Sequence, residues 1–256
     1  MRLNHIGILT LAISGLSISS CKKDSNDTPS NPFVGSPTPP VIPCSGSSTV
    51  TDIDGNTYAT VQISGQCWMA TNLRTTRYRD GTTISNVTDG AVWVQLNTRA
   101  WCNYQNNPGH DATYGKLYNW YAAANQNICP QGWHLPSDSD WKELEMALGL
   151  PLGQIDQLEV RGSDQRVGGK MKATTLWNTP NTGATNECGF SGFPGGARYG
   201  NDGNFYGLGN FGSWWTGSAS GSDTAWGRYL YKQDAGIARN DNYLKRNGFC
   251  LRCVRD

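Results

Sequence analysis

The sequence predicts an α+β fold: a hairpin and two helices in the first half of the domain, a long irregular middle, and a terminal antiparallel sheet. Alternating β-branched and polar residues flank Asp54-Gly55-Asn56, and apolar residues recur at helical spacing twice between 113 and 149. The alternating runs SWWTGS, AWGRYLYKQD and GFCLRCVRD, parted by Gly, Asn or Asp, close the chain as three strands. Composition fits this plan. With 31 Gly, 10 Trp, 11 Tyr and 16% charged residues, aromatic rings must fill the core between many tight turns.

At the start, Arg2 precedes a run of apolar and small residues, 6–18, that ends in Ile18-Ser19-Ser20-Cys21. This pattern reads as a signal peptide over 1–21 with a lipobox, making Cys21 the lipidated residue. The run falls short of the roughly 18 apolar residues that span a bilayer, so membrane contact is expected only through the N-terminal anchor. Half of the 12 prolines fall between Pro29 and Pro43, which makes 22–48 a Pro- and Ser-rich disordered linker. Residues 49–256 are then one domain.

Within it, 49–53 and 57–63 form the hairpin strands around the Asp-Gly-Asn turn. Leu117, Trp120, Tyr121 and Ala124 stand at i, i+3, i+4 and i+7, an amphipathic helix over 113–126. The segment CPQGWHLPSDSDWKELE, 129–145, has the look of an active site but parses as scaffold. Gly132 to Leu135 is a short strand stopped by Pro136, with His134 as a core residue in it, and Ser137 is the N-cap of a second helix. Asp138 and Asp140 occupy its first turn, where unpaired N–H groups favour negative charge. Trp141, Leu144, Glu145 and Leu148 continue the helical spacing to Gly149. GFPGGAR, 192–198, is a further strand entering a turn.

Function classes narrow in the same way. A net charge of +1 with no long basic run gives no sign of nucleic-acid binding. Two histidines in the mature chain, His110 and His134, are too few for a histidine metal site, and DIDGN lacks the later glutamate of an EF-hand loop, so no metal and no cofactor is expected. No Gly-x-Ser-x-Gly elbow or P-loop is present, and no catalytic residue is assigned. Alternation across Cys250-Leu251-Arg252-Cys253 sends the two thiols to opposite faces, as two separate structural disulfides and not a redox pair. Eight cysteines, with Cys21 set aside, allow up to three disulfides and leave one thiol over. The terminal sheet offers the candidate ligand face: Trp215, Arg228, Tyr229, Tyr231, Asp241, Asn242 and Tyr243 mix rings with polar groups suited to sugar stacking or a protein interface. Trp214 and Trp226 are assigned to the core.

The phrases DIDGNTYATVQISGQCWMATNL, YGKLYNWYAA, CPQGWHLPSDSDW, GATNECGFSGFPGGAR, SWWTGSA and NGFCLRCVRD resemble the Fibrobacter succinogenes major paralogous domain, in order, from Thr49 to Asp256. The resemblance implies an exported protein or lipoprotein of the Bacteroidetes type. The charged cluster after Cys21 resembles signals for the outer face of the outer membrane. The helix with W-H-x-P-S and the R-C-V strand also resemble the C-type-lectin-like fold, in the branch of the formylglycine-generating enzymes. Neither Glu-Pro-Asn, Gln-Pro-Asp nor Trp-Asn-Asp is present, so calcium-dependent sugar binding is not implied, and the formylglycine-generating cysteines align with neither Cys188 nor Cys250. Fold analogy implies Cys102 with Cys253 and Cys188 with Cys250, with Cys67 joined to Cys129 or Cys44. The resulting expectation is a non-catalytic, surface-exposed lipoprotein whose domain binds an extracellular glycan or surface protein. The alternatives are a structural or tip component of a cell-surface assembly and, after it, a polysaccharide-active enzyme.

Overall fold

The computed structural model describes residues 41–256. Cys21, the signal segment and residues 22–40 of the expected linker lie outside them. The remainder of that linker packs on the domain: Ile42 accepts from the Gln62 N–H at 2.8 Å, and buried Cys44 is bonded to Cys67.

Among the described residues the fold is α+β with two disulfides and three sheets. The first sheet contains β1 (Thr49–Thr51), β2 (Thr57–Ile63), β3 (Gln66–Met69), β7 (Trp133–His134) and β14 (Val254–Arg255), in the order β1-β2-β3-β14-β7. Val254 pairs with Trp68 on one side and His134 on the other, so the chain's last strand closes this sheet. The second contains β8 (Glu159–Arg161), β9 (Gly195–Arg198), β10 (Phe205–Leu208), β11 (Phe211–Ala219), β12 (Thr224–Tyr231) and β13 (Ile237–Leu244), ordered β10-β9-β11-β12-β13-β8. A small third sheet holds β4 (Ser85–Asn86), β5 (Ala100–Cys102) and β6 (Leu117–Tyr118). The helices are α1 (Gly90–Trp93), α2 (Asp111–Tyr114), α3 (Trp120–Ala123), α4 (Asp138–Ala147) and α5 (Val167–Met171).

The hairpin turn forms as its sequence dictates. Asp52 Oδ1 accepts from the N–H groups of Asp54 and Asn56, both at 2.9 Å, and Gly55 takes the left-handed conformation at φ +84°. Helix α4 also starts where expected: Ser137 and Asp140 form a reciprocal capping box. The helix expected over 113–126 does not form. Gly115 at φ +75° ends α2, Leu117 and Tyr118 are drawn into β6 against β5, and α3 restarts after the Asn119 cap. Cross-strand pairing overrides the helical spacing. The last long strand is likewise β13, not GFCLRCVRD. Phe249 and Cys250 instead make single bridges to Tyr118 and Trp214, joining the third sheet to the second.

Cysteine pairing departs from the fold analogy. Cys253 bonds to Cys129, not Cys102, and Cys188 and Cys250 do not pair, whereas Cys67 takes Cys44, one of the two partners expected for it; among the described residues Cys102, Cys188 and Cys250 are free. Pairing of β14 with β7 explains the first bond, because it brings Cys253 beside the segment just before Trp133. Cys250 stays in the core, its thiol facing the Tyr114 carbonyl.

Both faces of the second sheet are covered, and β11 shows how. Trp214 and Trp215 point to opposite faces, yet both are fully buried. Trp214 joins Trp68, Trp141 and Phe190, with ring centroids 5.2–6.4 Å apart. Trp215 packs on Phe249 at 4.3 Å. Under α4 a buried ion network ties helix to sheet: Glu145 binds Arg228 and Arg161, each at 2.6 Å, and Asp138 binds Arg228 and Arg239, each at 2.8 Å. Buried Arg252 is met by Asn72 Oδ1 at 2.8 Å and the Met69 carbonyl at 2.9 Å, and Asn72 also accepts from the Trp214 indole.

Candidate functional site

The face of β12 that carries Tyr229 and Tyr231 is aromatic. In register, Tyr229 stands opposite Ser213, and Gly227 opposite Trp215. On the other side β13 adds one extra residue: Gly227 pairs with Asn240, and Ala225 with Tyr243. That bulge returns Tyr243 to the same face as Tyr229. Gly227 makes the arrangement possible, since a Cβ there would lie 2.8 Å from Tyr243 Cδ2. The two tyrosine rings stack at 4.9 Å with a 22° interplanar angle.

At the edge of this face lies a pocket of about 220 Å³ lined by Tyr199, Asn201, Tyr229, Asn242, Tyr243, Leu244 and Asn247. Asn201 and Asn242 are exposed, whereas Asn247 is buried and its Oδ1 accepts from the Gly200 N–H at 2.8 Å, fixing the loop after β9 against the turn after β13. Tyr243 accepts from the Asn240 amide at 3.0 Å. Burial first, and then neighbouring Tyr243 and Tyr199, push the Tyr229 hydroxyl well up from its usual range. Burial also raises Tyr243 and Tyr199, and moves Tyr231 up to about 12. These phenols stay protonated, so each can both donate and accept. Stacked rings beside amides and phenols suit a ligand with an apolar face and a rim of hydroxyls.

Of the seven residues expected on a ligand face, the structure brings Tyr229, Asn242 and Tyr243 together in this pocket. Tyr231 is part-buried beside it, 5.8 Å from the Tyr229 ring, and Asp241 is part-buried outside the lining. Trp215 and Arg228 are not available to a ligand. Both are fully buried: Trp215 donates to the Tyr118 carbonyl at 2.9 Å, and Arg228 is occupied by Glu145 and Asp138. Alternation separates two faces, but here α4 covers one and Phe249 the other. Trp214 is core as expected, whereas Trp226 is part-buried with the Arg239 guanidinium 3.7 Å above its ring. Tyr199, Asn201 and Asn247 had no sequence signal of their own beyond Asn-Gly and Tyr-Gly turn pairs, because their convergence depends on the β9 and β13 loops meeting.

Other chemistry is engaged elsewhere. His134 is half-exposed, not core: Nδ1 lies 2.7 Å from Asp256 and Nε2 3.5 Å from Asp140, because β7 reaches the edge of its sheet. Asp54 sits at the hairpin turn, where burial opposes its charge but the Thr76 N–H and Arg77 hold its pKa down to about 2. Burial raises the thiols of Cys102 and Cys250 to about 12 and of Cys188 to about 11. Among the described residues no group of three or more His, Cys, Asp or Glu side chains could hold a metal ion, and no helix is long and apolar enough to cross a membrane.

No curated protein and no solved structure matches the chain. Residues 61–255, which include the Cys129–Cys253 disulfide and the whole tyrosine pocket, match the Fibrobacter succinogenes major domain, and the chain belongs to that family.

Proposed function

We propose that the domain binds an extracellular glycan, without catalysis, through the Tyr199–Tyr229–Tyr243 pocket. The observation that carries this reading is the convergence of three tyrosines and three asparagines from two loops and two strands on one small recess. At about 220 Å³ it lies below the roughly 300–1,000 Å³ of sites that enclose a drug-sized ligand, and it suits one ring or one chain end. Non-catalytic binding is favoured because buried Glu145 and part-buried Asp138 are each held by two guanidiniums, and buried Asp52 is spent on the turn N–H groups, the Asn56 amide and the Tyr58 hydroxyl. The free thiols are also kept far from the thiolate that nucleophilic chemistry needs.

The broader setting belongs to the same proposal. The disulfide-pinned frame with long loops fits a C-type-lectin-like arrangement, in which loops and the terminal sheet present ligand surface. The N-terminal pattern supports a lipoprotein anchored through Cys21 at the outer membrane and facing outward.

A panel of neutral oligosaccharides titrated against the full chain tests this. Asn242→Ala and Asn201→Ala alter exposed side chains, so melting temperature should hold while affinity falls about tenfold or more. Binding should stay flat between pH 5 and 9, because the pocket phenols titrate far above that window. Absence of any sugar binding would move the assignment to a protein partner in a cell-surface assembly.

A further inference from the structure

A cavity larger than the tyrosine pocket lies apart from it. It is a groove of about 660 Å³ between the segment 83–99 and the start of α3, and it continues past Asn97 and Thr98 into a second depression of about 520 Å³. Its walls combine two part-buried rings, Trp120 and Tyr121, with Asn97, Asn125, Ser85 and the exposed guanidinium of Arg99. Local capping builds the wall: Asn119 Oδ1 accepts from both Ala122 N–H and Ala100 N–H, at 3.0 and 3.1 Å, fixing the start of α3 beside β5. The Trp120 indole N–H is spent on the Thr216 carbonyl at 3.0 Å and the Lys245 ammonium lies over the ring, 4.7 Å from its centroid, so only part of the ring lines the groove.

The charge of this groove is one-sided. No Asp or Glu lines it, and among the described residues Arg99 has no carboxylate partner. Its guanidinium is steadied instead over the Tyr78 ring, 5.2 Å from the centroid. Asp80, which shares the surroundings of Tyr78, accepts from the Thr82 N–H and the Asn127 amide at 2.9 Å each. An arginine held over a ring, with its donors free and uncharged amides and hydroxyls alongside, is a fork for one carboxylate.

We infer that this groove is a second binding site, selective for a glycan bearing a ring carboxylate, a uronate or a sialic acid. Arg99 takes the carboxylate, Trp120 and Tyr121 take the sugar face, and the length of the groove accommodates several units. The inference extends the glycan-binding reading to a separate place, and different variants test the two.

The probes are an oligogalacturonate, its carboxyl-reduced neutral counterpart, and sialyllactose, titrated against the full chain at low and at high salt. The expected result is binding of at least one acidic probe, weakened several-fold by salt. It should be about tenfold or more weaker for Arg99→Gln, and equally so for the carboxyl-reduced oligomer. Arg99→Lys should fall between, since it keeps the charge and loses the fork. Asn242→Ala, in the tyrosine pocket, should leave acidic-probe binding unchanged. Which acidic probe binds separates a uronate ligand from a sialylated one. Unchanged binding in Arg99→Gln, equal binding of the reduced oligomer, or no binding of either acidic probe at low salt would overturn the inference.

Discussion

At the scale of single residues, the buried charges are the most consequential feature. Glu145 and its two arginine partners Arg228 and Arg161 have no exposed side-chain surface, so removing the carboxylate strands two guanidiniums in the core. Glu145→Ala should lower unfolding free energy by about 3–5 kcal/mol, read by denaturant titration. Asp138 gives a pH signature. Burial opposes its charge, but the guanidiniums of Arg239 and Arg228 outweigh it and hold its pKa well below the carboxylate range; Asp54 is held at about 2. Because both folded values lie below the unfolded ones, their stabilisation is complete above about pH 4 and is lost as pH falls toward 2. The melting temperature should drop steeply through that window, and less steeply in Asp138→Asn. Glu145 was legible only as a member of a helical stripe. Only the fold brings Arg161 and Arg228 to it, from positions 16 and 83 residues away.

At the scale of elements, local signals were readable where the chain satisfies its own backbone. The Asp52 turn and the Ser137 box each close within a few residues, and both stand where the sequence places them. Elements that depend on distant partners were misread. YGKLYNWYAA has helical spacing, yet Leu117 and Tyr118 pair with β5, and Gly115 breaks the turn. The ligand face failed in the same way for Trp215 and Arg228, because alternation cannot say what covers each side of a sheet. The β13 bulge is the element-scale device that builds the pocket, and Gly227 admits the Tyr243 ring to it. Gly227→Ala should cost about 1–3 kcal/mol by overpacking, and it should weaken sugar binding more than Asn201→Ala does, both read in one thermal-shift and titration series.

At the scale of the whole molecule, the C-terminal residues tie the fold together. Val254 completes the first sheet, Phe249 and Cys250 bridge the other two, and Cys253 bonds back to Cys129. The Cys129–Cys253 link spans 124 residues and the Cys44–Cys67 link only 23. Loop-closure entropy then predicts that Cys129→Ala/Cys253→Ala destabilises by about 5 kcal/mol, roughly 1.5 kcal/mol more than Cys44→Ala/Cys67→Ala, measured by chemical denaturation. This closed frame leaves the loops after β9 and β13 to meet at the pocket, where the proposed glycan contact lies. Its most direct test follows the side-chain amide signals of the asparagines by NMR while a neutral oligosaccharide is added to the protein. Binding in the tyrosine pocket predicts saturable shifts concentrated at Asn201, Asn242 and Asn247; saturable binding that leaves those three amides unmoved would contradict it.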